Sequence, residues 1–188
     1  MTKKMIGPFA GLAIFVFIVV AYSACKYNTL VNAEEEVDGA WAQVENVLKR
    51  RADLIPNLVN TVKGFAEQEQ SVFGNVAAAR QGLLNAQGPA EAAQANQQLT
   101  SALGRLLMIS ERYPELKSNQ NFLSLQAELA GTENRIAVER KRYNEKVTAY
   151  NKMIRRFPSS LFAGLFDFER KQYFEVEESD KAVPDVEF

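Results

Sequence analysis

The chain has 188 residues and a net charge of -1, from 22 basic and 23 acidic side chains, a balance that gives no global pull toward nucleic acid or anionic lipid. With no histidine and a single cysteine, Cys25, it excludes zinc fingers, Cys/His metal sites, histidine acid–base catalysis and intramolecular disulfides. Its 10 glycines and 6 prolines are sparse, which favours long helices over a sheet-rich fold.

The first element is a run without charge, residues 5–25, from Met5 to Cys25, behind a short basic region of residues 1–4. About 20 helical residues at about 1.5 Å each cross a hydrocarbon core of about 30 Å, so the run predicts a transmembrane helix. Lys3 and Lys4 precede it, whereas Lys26 and then the acidic cluster Glu34-Glu35-Glu36 follow. Lys and Arg in short flanks mark the cytoplasmic side, which leaves the amino terminus in the cytoplasm and the remaining domain outside. A cleaved secretory signal requires a shorter apolar region. A lipoprotein signal would place a lipid on Cys25. Ser23-Ala24-Cys25 fits that pattern, and Tyr22 is a poor match to the aliphatic residue it needs. The uncleaved anchor is the reading the length favours.

From Leu30 the apolar positions fall at helical spacing. Val37, Val44, Leu58, Phe65 and Val72 form one heptad column, interrupted by Arg51; Trp41, Leu48, Ile55 and Val62 form the other, interrupted by Glu69. Such alternating steps make the seam of a helix packed nearly parallel to its neighbours. Periodicity continues past Pro56, which is expected to kink the helix or loosen a turn without ending it, and predicts a helix reaching to about Arg80. Gln81 to Ala90, with Gly82, Gly88 and Pro89, reads as the first reversal, and Pro89 suits the first turn of a second helix. That helix carries Leu99, Leu103, Leu106 and Ile109 and stops before Pro114.

A third soluble helix steps by three and four from Phe122 through Leu129, Ile136, Tyr143 and Tyr150 to Phe157, with Ser118 or Asn119 as its cap and Phe157-Pro158 as its end. The fold class is therefore all-α: an N-terminal transmembrane helix continuing into a long antiparallel bundle of three to four helices over residues 26–158, then an aromatic-rich tail over 159–188. In that tail Phe162, Phe166, Phe168 and Phe188 either cover the bundle's open seam or form a docking surface for a copy, another protein or the membrane interface.

Charge at a packed seam needs a partner, so Arg51 and Glu69 are expected to pair with residues of other helices and fix register. Tyr143-Asn144 and Tyr150-Asn151 repeat a dipeptide one heptad apart, which reads as core tyrosines, each with a hydroxyl requiring a partner, beside helix-surface asparagines. Trp41, Arg51, Glu69, Tyr143, Tyr150 and the four tail phenylalanines are the interaction candidates, and Cys25 the candidate lipidation site. The sequence contains no phosphate loop, nucleophile elbow, HExxH or calcium loop. No catalytic, metal or cofactor site is expected.

Longer stretches resemble the LemA family of bacterial membrane proteins. They include Tyr27-Asn28-Thr29-Leu30-Val31, Ala40-Trp41-Ala42-Gln43-Val44-Glu45 and Lys49-Arg50-Arg51-Ala52-Asp53-Leu54-Ile55-Pro56-Asn57-Leu58-Val59. Glu111 to Lys117, Thr132 to Ala137, Arg142-Tyr143-Asn144, Ile154 to Pro158 and Val183 to Phe188 match as well. The resemblance implies one amino-terminal membrane helix, an all-α extramembrane bundle and no established enzymatic activity. Some similar members carry a lipoprotein-type cysteine just before their Tyr-Asn, the place of Cys25 here. The expected role is a non-enzymatic protein of the bacterial inner membrane that self-associates, as a homo-oligomer, or scaffolds envelope partners beside the lipid bilayer. The alternative is a signalling module that couples an extracytoplasmic event to the membrane helix. Nucleic acid is not an expected partner.

Overall fold

A computed structural model describes residues 6–175. The basic residues 1–4, the acidic run beyond Glu175 and Phe188 lie outside the described residues. The chain is all-α, with helices α1 (Ile6–Lys63), α2 (Gln70–Asn85), α3 (Pro89–Ser110), α4 (Pro114–Lys117), α5 (Gln120–Arg155) and α6 (Ser159–Leu165), and no strand among the described residues. It divides into two compact units. One holds residues 6–39 and 145–171, the other residues 40–144 and 172–175.

In the first unit, the middle turns of α1 supply Leu30 and Val37 to the core, the last turns of α5 supply Val147, Tyr150 and Ile154, and α6 supplies Ala163. The apolar run ahead of Leu30 behaves differently. Leu12, Ile14, Phe15, Phe17, Ile18, Val19 and Val20 are all exposed, on every side of the helix. A helix stretch exposed and apolar all round from Leu12 to Val20 suits a hydrocarbon surround.

In the second unit, α1 buries Val44, Leu48, Ile55, Leu58 and Val62, the two columns read from the heptads, and continues through Pro56. It does not continue to Arg80. The helix ends at Lys63, where Phe65 N and Ala66 N both bond the Val62 carbonyl at 3.0 Å and turn the chain. Gly64 follows the last helical residue, and glycine costs about 1 kcal/mol relative to alanine inside a helix. The turn buries Ala66 in place of Phe65. As a result α2 buries Phe73, one residue on from Val72 of the predicted column, while Val76 and Leu83 stay in step with the column of Val62 and Glu69, and Phe65 and Val72 are only half-buried. Heptad counting passes through a short turn unnoticed, because a turn of the right length restores an apolar face.

The reversal after α2 uses Gly88 at φ 85° and ψ 175°, a conformation open essentially to glycine alone, followed by Pro89 in the first turn of α3. Glu91 accepts a hydrogen bond from Gln87 N at 2.9 Å, tying the loop to the helix start. Alanines 92, 93, 95 and 102 are buried on α3, as a close helix crossing requires. Of the two expected caps of α5, Asn119 performs the role: its Oδ1 accepts from Phe122 N at 3.1 Å. Phe157 departs from the expected seam. It lies past the end of α5 and is exposed.

Candidate functional site

In the second unit Arg51 is almost fully enclosed. Its Nη1 donates to Asn96 Oδ1 at 2.6 Å and pairs with Glu133, and its Nη2 donates to Thr100 Oγ1 at 3.1 Å. One α1 cation thus ties down α3 and α5. Burial pulls the guanidinium below its ordinary value, and the Glu133 charge works against that. Glu69 sits just ahead of α2 and pairs with Arg112 at 2.8 Å, beyond the end of α3. Both charges that interrupt the seam therefore meet partners on other elements.

Trp41 is half-buried, with its ring centroid 5.3 Å from Tyr143 and 6.1 Å from Phe174. The Tyr143 hydroxyl donates to the Gln172 carbonyl at 2.7 Å. Asn144 both accepts from Phe174 N at 2.9 Å and donates to the Phe174 carbonyl at 3.4 Å. Gln172 and Phe174 are therefore held in this unit by their backbone.

The first unit repeats the device. Asn151 accepts from Lys171 N at 3.0 Å and donates to the Lys171 carbonyl at 2.9 Å. Lys171 Nζ reaches Glu34 at 2.8 Å and Asp38 at 3.2 Å on α1. Burial works against this ammonium, and the hydrogen bonds to Glu34 and Asp38 outweigh it, so its pKa rises. Tyr150 is fully buried, yet its hydroxyl finds no hydrogen-bond partner among the described residues, contrary to the expectation that it needs one. Burial, then the charge of Glu34, raises its pKa. Asn151 is also buried, where a helix-surface asparagine was expected. The repeated Tyr-Asn pair was visible in the sequence, but its partner is backbone, which carries no residue signature.

The tail phenylalanines gather on tyrosines at the end of the apolar run. Phe162 lies 6.3 Å from Tyr22, and Phe166 and Phe168 lie 4.9 and 5.9 Å from Tyr27, measured between ring centroids. Asp167, at φ 55°, lets Phe168 N bond the Ala163 carbonyl at 3.0 Å and closes α6. Cys25 is exposed and unpaired by any disulfide. Among the described residues no three His, Cys, Asp or Glu side chains converge as a metal site would need.

These clamps lie largely in the part of the chain that the LemA family model matches, residues 40–188. The chain belongs to the LemA family. This LemA-family chain is 28% identical to magnetosome protein MamQ 2 of Paramagnetospirillum magneticum, over 90% of its own length and 73% of the relative's. Magnetosome protein MamQ of Magnetospirillum gryphiswaldense is 27% identical, over 87% and 71% of the two lengths. Protein LemA of Metamycoplasma hominis is 23% identical, over 93% and 78%. Within this LemA-family chain, α1 contains the one segment among the described residues that is long and apolar enough to cross a membrane.

Proposed function

We propose that the protein is a non-enzymatic, single-pass membrane protein of the bacterial envelope that assembles with copies of itself or scaffolds partners there. The observation that carries this reading is the apolar run of α1, exposed on every side from Leu12 to Val20, in a chain whose buried cation, Arg51, ties helices together. Its amino terminus would face the cytoplasm, with residues 26–158 outside the inner membrane. Relatives named for the magnetosome lend support to work within a larger cellular structure.

Light scattering of the full-length protein in mild detergent, corrected for bound detergent, tests the assembly. A discrete multiple of 21.0 kDa is expected. A monomer across a wide concentration range overturns self-association, and crosslinking in membranes then tests for a scaffolded partner. The unbroken helix from Ile6 to Lys63 favours a second reading, in which a signal passes through Lys26 into the membrane helix. A Gly-Gly insertion at Lys26 would abolish function while leaving the fold intact; unchanged function refutes that coupling.

A further inference from the structure

We propose that α6, with Phe157 and Phe166 at its ends, is a second membrane contact that lies in the headgroup boundary of the bilayer crossed by α1. The proposal rests on the reading of the α1 apolar run as a membrane span. Phe157 to Phe166 is ten residues without a charge. Within it Phe157 is 80% exposed, Leu161 64% and Leu165 72%, and Leu161 and Leu165 stand one turn apart on one face of α6. Water-facing positions of a short helix are normally polar, and a concentrated apolar face marks a contact.

Three observations choose lipid as the occupant. First, the position of α6 is set within its own unit: Phe162 rests on Tyr22, in the last turns of the apolar run, and Phe166 and Phe168 rest on Tyr27 one or two turns further on. The exposed leucines thus belong to a helix seated against the end of the apolar run. Second, the residues at this level are those of a membrane boundary. Tyrosines at the end of a span sit at headgroup depth, and Lys26 stands over the Tyr22 ring at 5.4 Å. Third, the charge is one-sided. Lys146 is paired with Glu36 at 2.7 Å, but from Val147 to Phe166 there are Lys152, Arg155 and Arg156 and no Asp or Glu, and Asp167, the next acid, stands where the chain turns out of α6. Exposed Lys152, Arg155 and Arg156 at the end of α5 suit phosphate headgroups. An apolar face flanked by cations has the character of a helix lying in the interface plane.

Nitroxide depth measurements on the full chain in vesicles of phosphatidylethanolamine and phosphatidylglycerol test this. In a Cys25→Ser background, single labels at Leu165→Cys, Phe15→Cys in the span and Glu128→Cys on the exposed side of α5 are saturated against oxygen, which partitions into lipid, and a nickel chelate, which stays in water. The expected oxygen-to-nickel ratio at Leu165 lies several-fold above that at Glu128 and below that at Phe15. A Leu165 ratio equal to that at Glu128, with Phe15 lipid-like, overturns the proposal and leaves the anchor standing. A Leu165 label shielded from both reagents, and broadened until diluted with unlabelled protein, overturns it in favour of a second copy. Nickel access at Phe15 overturns the span reading and this proposal together.

Discussion

Asn151 grips a single residue of the returning chain with both ends of its amide, at 2.9 and 3.0 Å from the Lys171 carbonyl and amide. Asn151→Ala removes both bonds. At about 0.5–1.5 kcal/mol net for each, the loss is about 1–3 kcal/mol. The Lys171 side chain keeps its ion pairs to Glu34 and Asp38, but these are partly exposed and screened, so they do not replace the backbone grip. The change is therefore local opening around Lys171, with α1 and α5 still folded. Hydrogen exchange at the Lys171 amide reads it directly, with protection falling roughly tenfold to a hundredfold at about 1.4 kcal/mol per tenfold. Asn151→Asp separates the two bonds, because its carboxylate still accepts from Lys171 N but now faces the carbonyl with a second acceptor. Acid that protonates this carboxyl restores a donor and part of the protection, whereas the alanine variant gains nothing from acid. Unchanged Lys171 protection in Asn151→Ala would refute the clamp.

Arg51→Ala strips Asn96, Thr100 and Glu133 of their shared partner and opens a void, at a cost of about 3–5 kcal/mol in urea unfolding. Arg51→Lys recovers only part, since an ammonium lacks the guanidinium fork. Tyr150→Phe removes a buried hydroxyl without a partner, so stability stays equal or rises by about 1 kcal/mol. The pKa values of Tyr150 and Lys171 both lie above their ordinary values of 10.0 and 10.5, so the folded state holds its protons longer and folding stability falls as pH rises from those values through the folded ones, because burial penalises the Tyr150 phenolate and Lys171 loses its charged pairs. Circular dichroism should therefore show alkaline weakening from about pH 10 upward, reduced in Tyr150→Phe; stability rising over that range would contradict both assignments. Gly88→Ala places a side chain at φ 85°, ψ 175° and should cost about 1–3 kcal/mol in thermal unfolding.

Much of this architecture is legible in the residues because each signal is local. An uncharged run of membrane length, heptad columns on α1 and α5, Gly88-Pro89 at a reversal and Asn119 at a helix start all act over one or a few turns. The buried state of Arg51 was legible for a similar reason, since a cation on an apolar stripe must be paired. Three features needed tertiary structure. The end of α1 at Lys63 depended on which of Phe65 and Ala66 the core accepts, and a heptad count allows either. The grip of Asn144 and Asn151 on Phe174 and Lys171 joins residues 30 and 20 positions apart through backbone atoms that every residue possesses. The meeting of Tyr22 and Tyr27 with Phe162, Phe166 and Phe168 spans most of the chain, and only the folded first unit brings those rings together. Local spacing decides what a segment becomes, whereas its partner is decided by the geometry of distant segments, which no local pattern records.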